Sequence, residues 1–400
     1  MKISLLLHFH QPPTQFNEVT HSITSDCYLP IFNTLYHIPS AKLSVNITAS
    51  LLEQLQAFSE GREVIRLIHL LCERGQIELT GTGAYHPLLP KIPDEEARRQ
   101  ILLQEYLVGK IVFDNSSSYR KKIGFFPPEL AVNPELIDLL SGEYYEWVMV
   151  DESAMLFGTE PGIYRNPDGL SIVVRDDTLS GAVAFGKVKS ANDLFDLLNL
   201  SRRRYFALAM DGETFGHHLK FGIILLEDFF SDPRLDFCTI SEVVKEEKAG
   251  KSGKISESTW GTTEDDLKAG INYPRWDIPK NKLHRLQWEL TALVLQESVK
   301  IPESLLNPSK SLDSKLTHEE TRCLNARLLL DKALHSDQYW WASANPCWHP
   351  DMVRRGAEML KGVIFALPNA SEKSKNRAEE IFEKLLKLGK EKFGDKAIFA

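Results

Sequence analysis

Short apolar runs typical of strands alternate with amphipathic runs typical of helices, from the first residues to about residue 245. Such alternation is characteristic of βα units, whose parallel strands pair in one sheet while the helices cover its faces. Six to seven units can be counted, enough to close, or nearly close, a barrel. The alternation therefore predicts an α/β fold for residues 1–245.

The pattern changes after this alternating part. Residues 246–279 form a connection without periodicity, and 246–275 is rich in Lys, Gly and Ser. Connections of this length often act as lids or linkers, although Trp260 is unusual in a mobile polar segment. Residues 280–400 predict a helical C-terminal region with no strand alternation. Its expected helices lie at about 281–299, 317–335, 351–365 and 371–392.

Composition and charge narrow the class of protein. Apolar residues make up 43% of the chain, which is enough for a sizeable core, and the net charge of −8 offers no basic face for nucleic acid. The five cysteines are scattered without a C-x-x-C pair, as in reduced proteins. The apolar run after Lys2 is too short for a signal peptide, and no later run could span a membrane. We therefore expect a cytoplasmic protein without nucleic-acid or membrane partners; its oligomeric state stays open.

Reactive side chains follow several predicted strands. In parallel α/β folds the carboxyl ends of the strands converge on one cleft, so catalytic groups collect there. Glu129 follows the predicted strand 122–126, and Asp211 follows 205–210. Further candidates at strand ends or in the loops after them are His8, His10, His86 and Glu213.

The nonapeptide MDGETFGHH at 210–218 contains two of these carboxylates. If strand geometry persists, Asp211 and Glu213 point to the same side, and Gly212 and Gly216 allow the chain to turn. D-G-E is also common in solvated turns. This stretch alone therefore leaves both a catalytic and a plain loop interpretation open.

Two carboxyl groups across a cleft are what cleavage of a glycosidic bond requires. One attacks the anomeric carbon while the other protonates the departing oxygen, and in retaining enzymes the two lie roughly 5 Å apart. Glu129 and Asp211 could meet in this way across a barrel mouth. Six of the seven tryptophans lie after residue 250 and would either line sugar subsites or pack the helical region.

Two other functions remain open. A zinc ion held by His8, His10 and Asp211 would indicate a metal-dependent polysaccharide deacetylase or mannosidase, although histidines also serve as plain hydrogen-bond donors to sugars. A non-catalytic glucan-binding module would instead depend on the tryptophans. The sequence contains no H-E-x-x-H, G-x-S-x-G or P-loop motif.

With these residues identified, the chain resembles glycoside hydrolase family 57, the α-amylase, 4-α-glucanotransferase and branching-enzyme family. The resemblance depends on several motifs in order and covers about residues 1–290. The motifs are HFHQPP at 8–13, GQIELTGTGAYHP at 75–87, GFFPPELAVN at 124–133, MDGETFGHH at 210–218 and, more loosely, STWGTTEDDLKAGINYPRW at 258–276.

The resemblance implies an incomplete (β/α)7 barrel followed by a helical region. It also implies a retaining mechanism without a metal or other cofactor, on an α-glucan or maltooligosaccharide substrate. Matched motif by motif, Glu129 corresponds to the nucleophile and Asp211 to the acid/base. The residues implied to bind the sugar are His8, His10, Glu78, His86, Glu213 and Trp260.

Overall fold

The computed structural model forms two compact units. The first unit comprises Met1–Gln11, Phe16–Thr82 and Leu107–Trp260, and the second comprises Pro12–Gln15, Gly83–Tyr106 and Gly261–Ala400. The predicted domain boundaries at residues 245 and 279 stay a prediction. The residues that the structure describes are 1–114, 123–155, 159–201, 203–251, 254–312, 315–344 and 346–399.

Strands dominate the centre of the first unit. The strands of the chain are β1 (Lys2–Phe9), β2 (Leu43–Ile47), β3 (Ile77–Leu79), β4 (Gly124–Phe125), β5 (Trp147–Val150), β6 (Ile163–Arg165), β7 (Ser171–Val174), β8 (Tyr205–Asp211), β9 (Asp236–Cys238), β10 (Gly250–Lys251), β11 (Cys347–Trp348) and β12 (Ile398–Phe399). Of the strand predicted at 122–126, Lys122 lies outside the described residues.

Helices connect these strands and make up most of the second unit. They are α1 (Asn17–Ile23), α2 (Leu29–His37), α3 (Ala49–Leu55), α4 (Ser59–Glu73), α5 (Asp94–Ile111), α6 (Pro134–Gly142), α7 (Asp177–Ala184), α8 (Ala191–Asn199), α9 (Gly222–Ser231), α10 (Ile240–Glu246), α11 (Glu264–Lys268), α12 (Lys282–Ser298), α13 (Pro308–Leu312), α14 (His318–Ala333), α15 (Asp337–Trp340), α16 (Pro350–Ala366) and α17 (Glu372–Phe393). A π-helical turn, Thr24–Tyr28, joins α1 to α2, and the 3₁₀ turns are Leu89–Lys91, Pro128–Leu130, Glu152–Ala154, Gly212–Thr214 and Glu303–Leu305.

The strands of the first unit pair mostly in parallel. One sheet has the order β3-β2-β1-β8, with β9 beside the start of β1, and the other has the order β10-β6-β7-β5-β4. Only β6 and β7 pair antiparallel among these described strands. A parallel bridge joins Gly81, after β3, to Phe125, and the N–H of Asp176 donates to the carbonyl of Ala207 at 2.8 Å. The parallel α/β prediction is confirmed, whereas closure into an incomplete barrel stays a prediction.

β1 is buried on both faces, which explains its continuous apolar sequence. Ile3, Leu5 and Leu7 pack into a core that includes the surrounding helices, whereas Leu6 packs with Ala209 of β8 in a second core on the opposite face. The alternation of strand side chains therefore assigns odd positions of β1 to the helical layer and even positions to the inner face. This assignment fixes which polar residues reach the site at the end of the strand.

The second unit is helical, as predicted, and α12, α14, α16 and α17 pack against one another. A buried ion pair joins Arg99 of α5 to Asp331 of α14 at 2.6 Å. Two short strands, β11 and β12, also pair antiparallel in this part. Each is only two residues long, too short to produce a period-two pattern. Over the described residues, no helix is both long and apolar enough to cross a lipid bilayer.

Candidate active site

His8 and Asp211 lie side by side at the carboxyl ends of β1 and β8. The two residues are paired in the parallel register of these strands. His8 belongs to the even-numbered inner face of β1, and Asp211 continues the face of Ala207 and Ala209, both members of the inner core. The sequence therefore delivers an imidazole and a carboxylate to the same end of the inner face.

The His8 ring has a defined orientation. Its Nδ1 lies 2.6 Å from Oδ1 of Asn46, whose Nδ2 donates to Thr80 Oγ1 at 2.8 Å and to the Gly81 carbonyl. Because that carbonyl can only accept, the amide oxygen of Asn46 faces His8 and the imidazole must donate from Nδ1. The ring also stacks on Phe126 with centroids 5.1 Å apart. A neutral His8 therefore carries its acceptor lone pair on Nε2.

His10 lies next to His8 at the same end of β1. The two rings stack with centroids 6.0 Å apart, and Nδ1 of His10 is 2.9 Å from Oγ1 of Thr48. Thr48 is the N-cap of α3 and accepts from the N–H of Leu51. The cap of a rigid helix therefore orients His10.

Glu129 occupies an unusual backbone conformation. It lies in the 3₁₀ turn Pro128–Leu130 with φ of 60°, and the following Leu130 has φ of 46°. Two successive non-glycine residues in the left-handed region are energetically costly, and such strain is concentrated at functional sites. The turn projects Glu129 from the end of β4.

Trp260 holds the Glu129 side chain. The indole Nε1 donates to Glu129 Oε2 at 2.9 Å, and the backbone N–H of Trp260 donates to the Glu129 carbonyl at 3.1 Å. Val132 and Ser258 form an antiparallel bridge that fixes the two segments side by side. The indole of Trp260 is therefore part of the wall around Glu129, which explains its presence in a polar connection.

Arg175 links the surroundings of the two carboxylates, and the sequence analysis missed it. Its guanidinium carbon lies 5.9 Å from the ring centroid of Trp260 and its Nε donates to the Ala209 carbonyl at 2.9 Å. Nη1 donates to Asp151 Oδ2 at 3.0 Å and also to Asp177 Oδ1. An arginine directly after the buried strand β7 was the available signal.

Asp211 is suited to carry a proton. Burial raises the pKa of its carboxyl group, while the charges of His218, Arg175 and His10 act in the opposite direction. A carboxyl group with a raised pKa stays protonated further toward neutral pH. This behaviour is required of a general acid.

Glu213 does not continue the face of the strand. β8 ends at Asp211 and a 3₁₀ turn follows, so the condition for the predicted shared direction is not met. Glu213 is 8% exposed and accepts hydrogen bonds from Gln11 Nε2, at 3.0 Å, and from the hydroxyl of Tyr28. Burial and then the charge of Asp211 raise the pKa of Glu213 to about 8.

Two glycines allow this loop to pack closely. A Cβ atom on Gly212 would lie 2.3 Å from the Phe9 ring, whereas Gly216 has φ of 110° and leaves no room for a Cβ beside the Asp26 carbonyl. Of these two glycines, Gly216 is required for its backbone conformation, since its φ is positive. Gly212 is required for close packing.

Glu78 lies within β3, before the end of the strand. Its carboxylate accepts from Ser44 Oγ at 2.6 Å and from the N–H of Ser241, in the first turn of α10, at 3.1 Å. Burial raises the pKa of Glu78, partly offset by these hydrogen bonds. Its role in sugar binding stays a prediction.

His86 belongs to the second unit. It is 1% exposed, has φ of 59°, and its Nδ1 lies 3.0 Å from Ser336 Oγ. Its predicted role in sugar binding also stays a prediction.

The described geometry of the first unit brings His8, His10, Asp211, Glu129 and Trp260 to one region.

Several tryptophans of the second unit serve packing. Trp276 and Trp348 are 1% and 3% exposed. Trp288 stacks on Tyr339 with centroids 4.1 Å apart and donates from Nε1 to the Trp276 carbonyl. These contacts favour the core-packing interpretation for this group.

Comparisons with known proteins agree with the fold. The chain superposes on a family 57 branching enzyme from Pyrococcus horikoshii with a TM-score of 0.74, at 14% identity, covering 96% of this chain and 94% of that one. A 4-alpha-glucanotransferase from Thermococcus litoralis gives a TM-score of 0.66 at 20% identity, covering 91% and 59%. These similarities support a common fold.

Sequence comparison identifies the family. An alpha-amylase from Pyrococcus furiosus is 30% identical over 221 residues, which are 52% of this chain and 32% of the amylase. The chain thus spans about a third of the length of that relative. The profile described as "Glycosyl hydrolase family 57" matches residues 8–255, which is more than half of the chain. The chain belongs to glycosyl hydrolase family 57.

Proposed function

We propose that this protein is a retaining glycoside hydrolase or transglycosylase acting on α-glucans. The observation that carries the proposal is that Glu129 and Asp211 border one set of side chains. Trp260 donates to Glu129, its ring is 6.2 Å from that of His8, and His8 is paired with Asp211. Arg175 completes the set, because it lies beside Trp260 and its charge acts on Asp211.

In the first step the Glu129 carboxylate attacks the anomeric carbon and Asp211 protonates the departing glycosidic oxygen. The raised pKa of Asp211 supports its role as the acid, because the group must hold a proton when the substrate arrives. In the second step Asp211 removes a proton from water or from a sugar hydroxyl, which then displaces Glu129. Water gives hydrolysis, and a sugar hydroxyl gives transfer.

The Trp260 N–H orients the nucleophile. A hydrogen bond to one carboxylate oxygen restricts the plane of the group. The left-handed backbone at Glu129 adds to this fixation. We propose that the residues that bind the sugar are His8, His10, Glu78, His86, Glu213 and Trp260.

The α-glucan class is suggested by the names of related proteins. The relatives include an alpha-amylase and a 4-alpha-glucanotransferase, and the structures include a branching enzyme. We propose a catalytic barrel in residues 1–245, a lid in 246–279 and a helical region in 280–400. The five cysteines are free, which supports a reducing, cytoplasmic setting.

The test is incubation of the protein with maltooligosaccharides and separation of the products. Shorter chains alone would identify a hydrolase, and longer chains as well would identify a transferase. Glu129→Gln and Asp211→Asn should each lower kcat by roughly three orders of magnitude or more, with little change in Tm. The exposed Glu135→Gln, on α6, is the matched control and should be fully active. Full activity in either catalytic variant would end the assignment.

A further inference from the structure

A cleft of about 500 Å³ lies in the first unit at the amino ends of β5 and β7. The residues proposed for catalysis lie at the opposite, carboxyl ends of the strands. The volume is within the range of small-ligand sites. The side chains that matter for its chemistry are Tyr144, Glu146, Arg165, Asp168 and Lys245.

The walls of the cleft are held together by hydrogen bonds. Asn166, in the turn between β6 and β7, donates from Nδ2 to Ser141 Oγ at the end of α6, at 3.2 Å. The N–H of Ser171 donates to the Glu146 carbonyl at 2.9 Å. Three elements line the cleft: the end of α6, the β6–β7 turn that is hydrogen-bonded to it, and the end of α10, which provides Lys245.

Tyr144 is the least expected residue in this cleft. Its side chain is 81% exposed, and its φ of 63° lies in the left-handed region at the end of α6. The N–H groups of Tyr144 and Tyr145 donate to the carbonyls of Ser141 and Leu140, which is how a helix terminates at a glycine. A bulky residue in the left-handed region is energetically unfavourable, and glycine would stabilise the end of the helix better. The tyrosine at this position is therefore better explained by a function of its ring than by folding.

The charges around the ring favour a neutral ligand. The lining contains two acidic side chains, Glu146 and Asp168, and two basic ones, Arg165 and Lys245, so it has no net charge. A phosphate or a metal ion would require an excess of one sign. Carboxylates that accept and cations that donate, placed around an exposed aromatic face, suit the hydroxyl groups and apolar face of a sugar ring.

We propose that this cleft is a second binding site for α-linked glucose oligosaccharides, with Tyr144 as its stacking platform. The proposal depends on the proposed function for the class of sugar. The role of this second site is to hold a long glucan on the protein while another part of the same glucan reaches the catalytic cleft. Polymers benefit from such bivalent contact, and a short oligosaccharide does not.

The experiment is native electrophoresis through gels that contain glycogen, with Glu129→Gln in every sample to stop turnover. Tyr144→Gly should weaken the retention by about fivefold or more, because the stacking face is lost. Its Tm should be unchanged or higher, because glycine adopts the left-handed conformation without strain. Tyr144→Asn, which also tolerates that conformation, serves as a second variant. Phe185→Ala is the control, since Phe185 is 80% exposed outside the cleft.

Equal retention of the Tyr144 variants and the Phe185 control would overturn the proposal, and so would a parent protein that glycogen does not retain. Loss of retention only in the Tyr144 variants would support it, even if the protein with Glu129 intact has no turnover. In that case the second site stands and the proposed catalytic function fails. With turnover, Tyr144→Gly should raise KM for glycogen and leave kcat/KM for maltotriose unchanged.

Discussion

The side chain of Glu129 is controlled by its partner in the wall of the site. Trp260 contributes both a backbone hydrogen bond and an indole hydrogen bond to this residue. A hydrogen bond to an ionised acceptor contributes about 1.5–3 kcal/mol. The indole N–H of Trp260 thus helps to orient the proposed nucleophile, and a substitution to phenylalanine can remove this N–H while keeping an aromatic ring.

Trp260→Phe keeps a ring beside His8 and deletes the donor to Glu129. We expect kcat/KM on maltooligosaccharides to fall by about 10- to 150-fold, with Tm nearly unchanged. The control is Trp288→Phe, which removes an indole hydrogen bond to a backbone carbonyl in the second unit. Unchanged kinetics in Trp260→Phe would mean that this hydrogen bond does not orient the nucleophile.

Glu213 makes stability depend on pH. Because its pKa in the folded protein is raised to about 8, the folded state binds this proton more tightly than the unfolded state. The carboxyl group therefore contributes stability below its ordinary pKa of 4.5, and this contribution is lost as the pH rises toward 8. The amide of glutamine can accept from Gln11 and Tyr28 but cannot ionise.

Glu213→Gln should have a Tm close to that of the wild type at pH 5 and a higher one at pH 8. The measurement is the Tm difference across this range by differential scanning calorimetry. Glu18→Gln, at an exposed position, should give a flat difference. A Tm difference for Glu213→Gln that does not change with pH would contradict the role assigned to burial.

At the scale of residues, the sequence identifies the candidate catalytic residues but does not identify the contacts that hold them. Strand ends and motif spacing indicate Glu129 and Asp211, because each lies just beyond a predicted strand. The link through Trp260 depends on pairing of segments 131 positions apart, and no local pattern encodes it. Arg175 was missed because an arginine after a strand resembles an ordinary surface residue in the sequence. Only the structure shows that Arg175 is buried, with 7% of its surface exposed.

At the scale of elements, β3 and α10 are coupled through a single carboxylate. Glu78 accepts from the N–H of Ser241, which is one of the donors without a partner inside the first turn of α10. It also accepts from Ser44 of β2. α10 contributes Ile240 and Val243 to the inner core, so this contact fixes a helix that covers the inner face.

Glu78→Ala should lower the free energy of unfolding by about 2 kcal/mol, because it leaves the Ser241 N–H and the Ser44 hydroxyl without this acceptor. Urea denaturation measures the change. Glu73→Ala, at an exposed position of α4, should stay within about 0.5 kcal/mol of the wild type. Equal stability of Glu78→Ala and the wild type would contradict the structural role of this contact.

Periodicity predicts long elements well and short ones poorly. The helices predicted at about 281–299 and 371–392 agree with α12 and α17, which are 17 and 22 residues long. No helix is predicted between β1 and β2, where α1, a π-helical turn and α2 fill the segment. That helical run is interrupted at Thr24–Tyr28, which shifts the apolar face and hides the 3.6-residue repeat.

At the scale of the whole molecule, the proposed catalytic residues come from strands that are distant in sequence. Glu129 follows β4 and Asp211 ends β8, while His8 lies in β1, and the parallel pairing of the strands gives their carboxyl ends a common direction. The alternation of βα units predicts this direction. Neither the strand order nor the β6–β7 hairpin follows from alternation, because both depend on pairing between strands.

The most direct test of the account is to trap the covalent intermediate. In Asp211→Asn, α-maltotriosyl fluoride should still glycosylate the nucleophile, because fluoride leaves without protonation, whereas the second step lacks its base. Mass spectrometry of the digested protein should then find one maltotriosyl group on the peptide that contains Glu129. An adduct on another carboxylate, or undiminished turnover without an adduct, would contradict the assignment of Glu129 as nucleophile and Asp211 as acid/base.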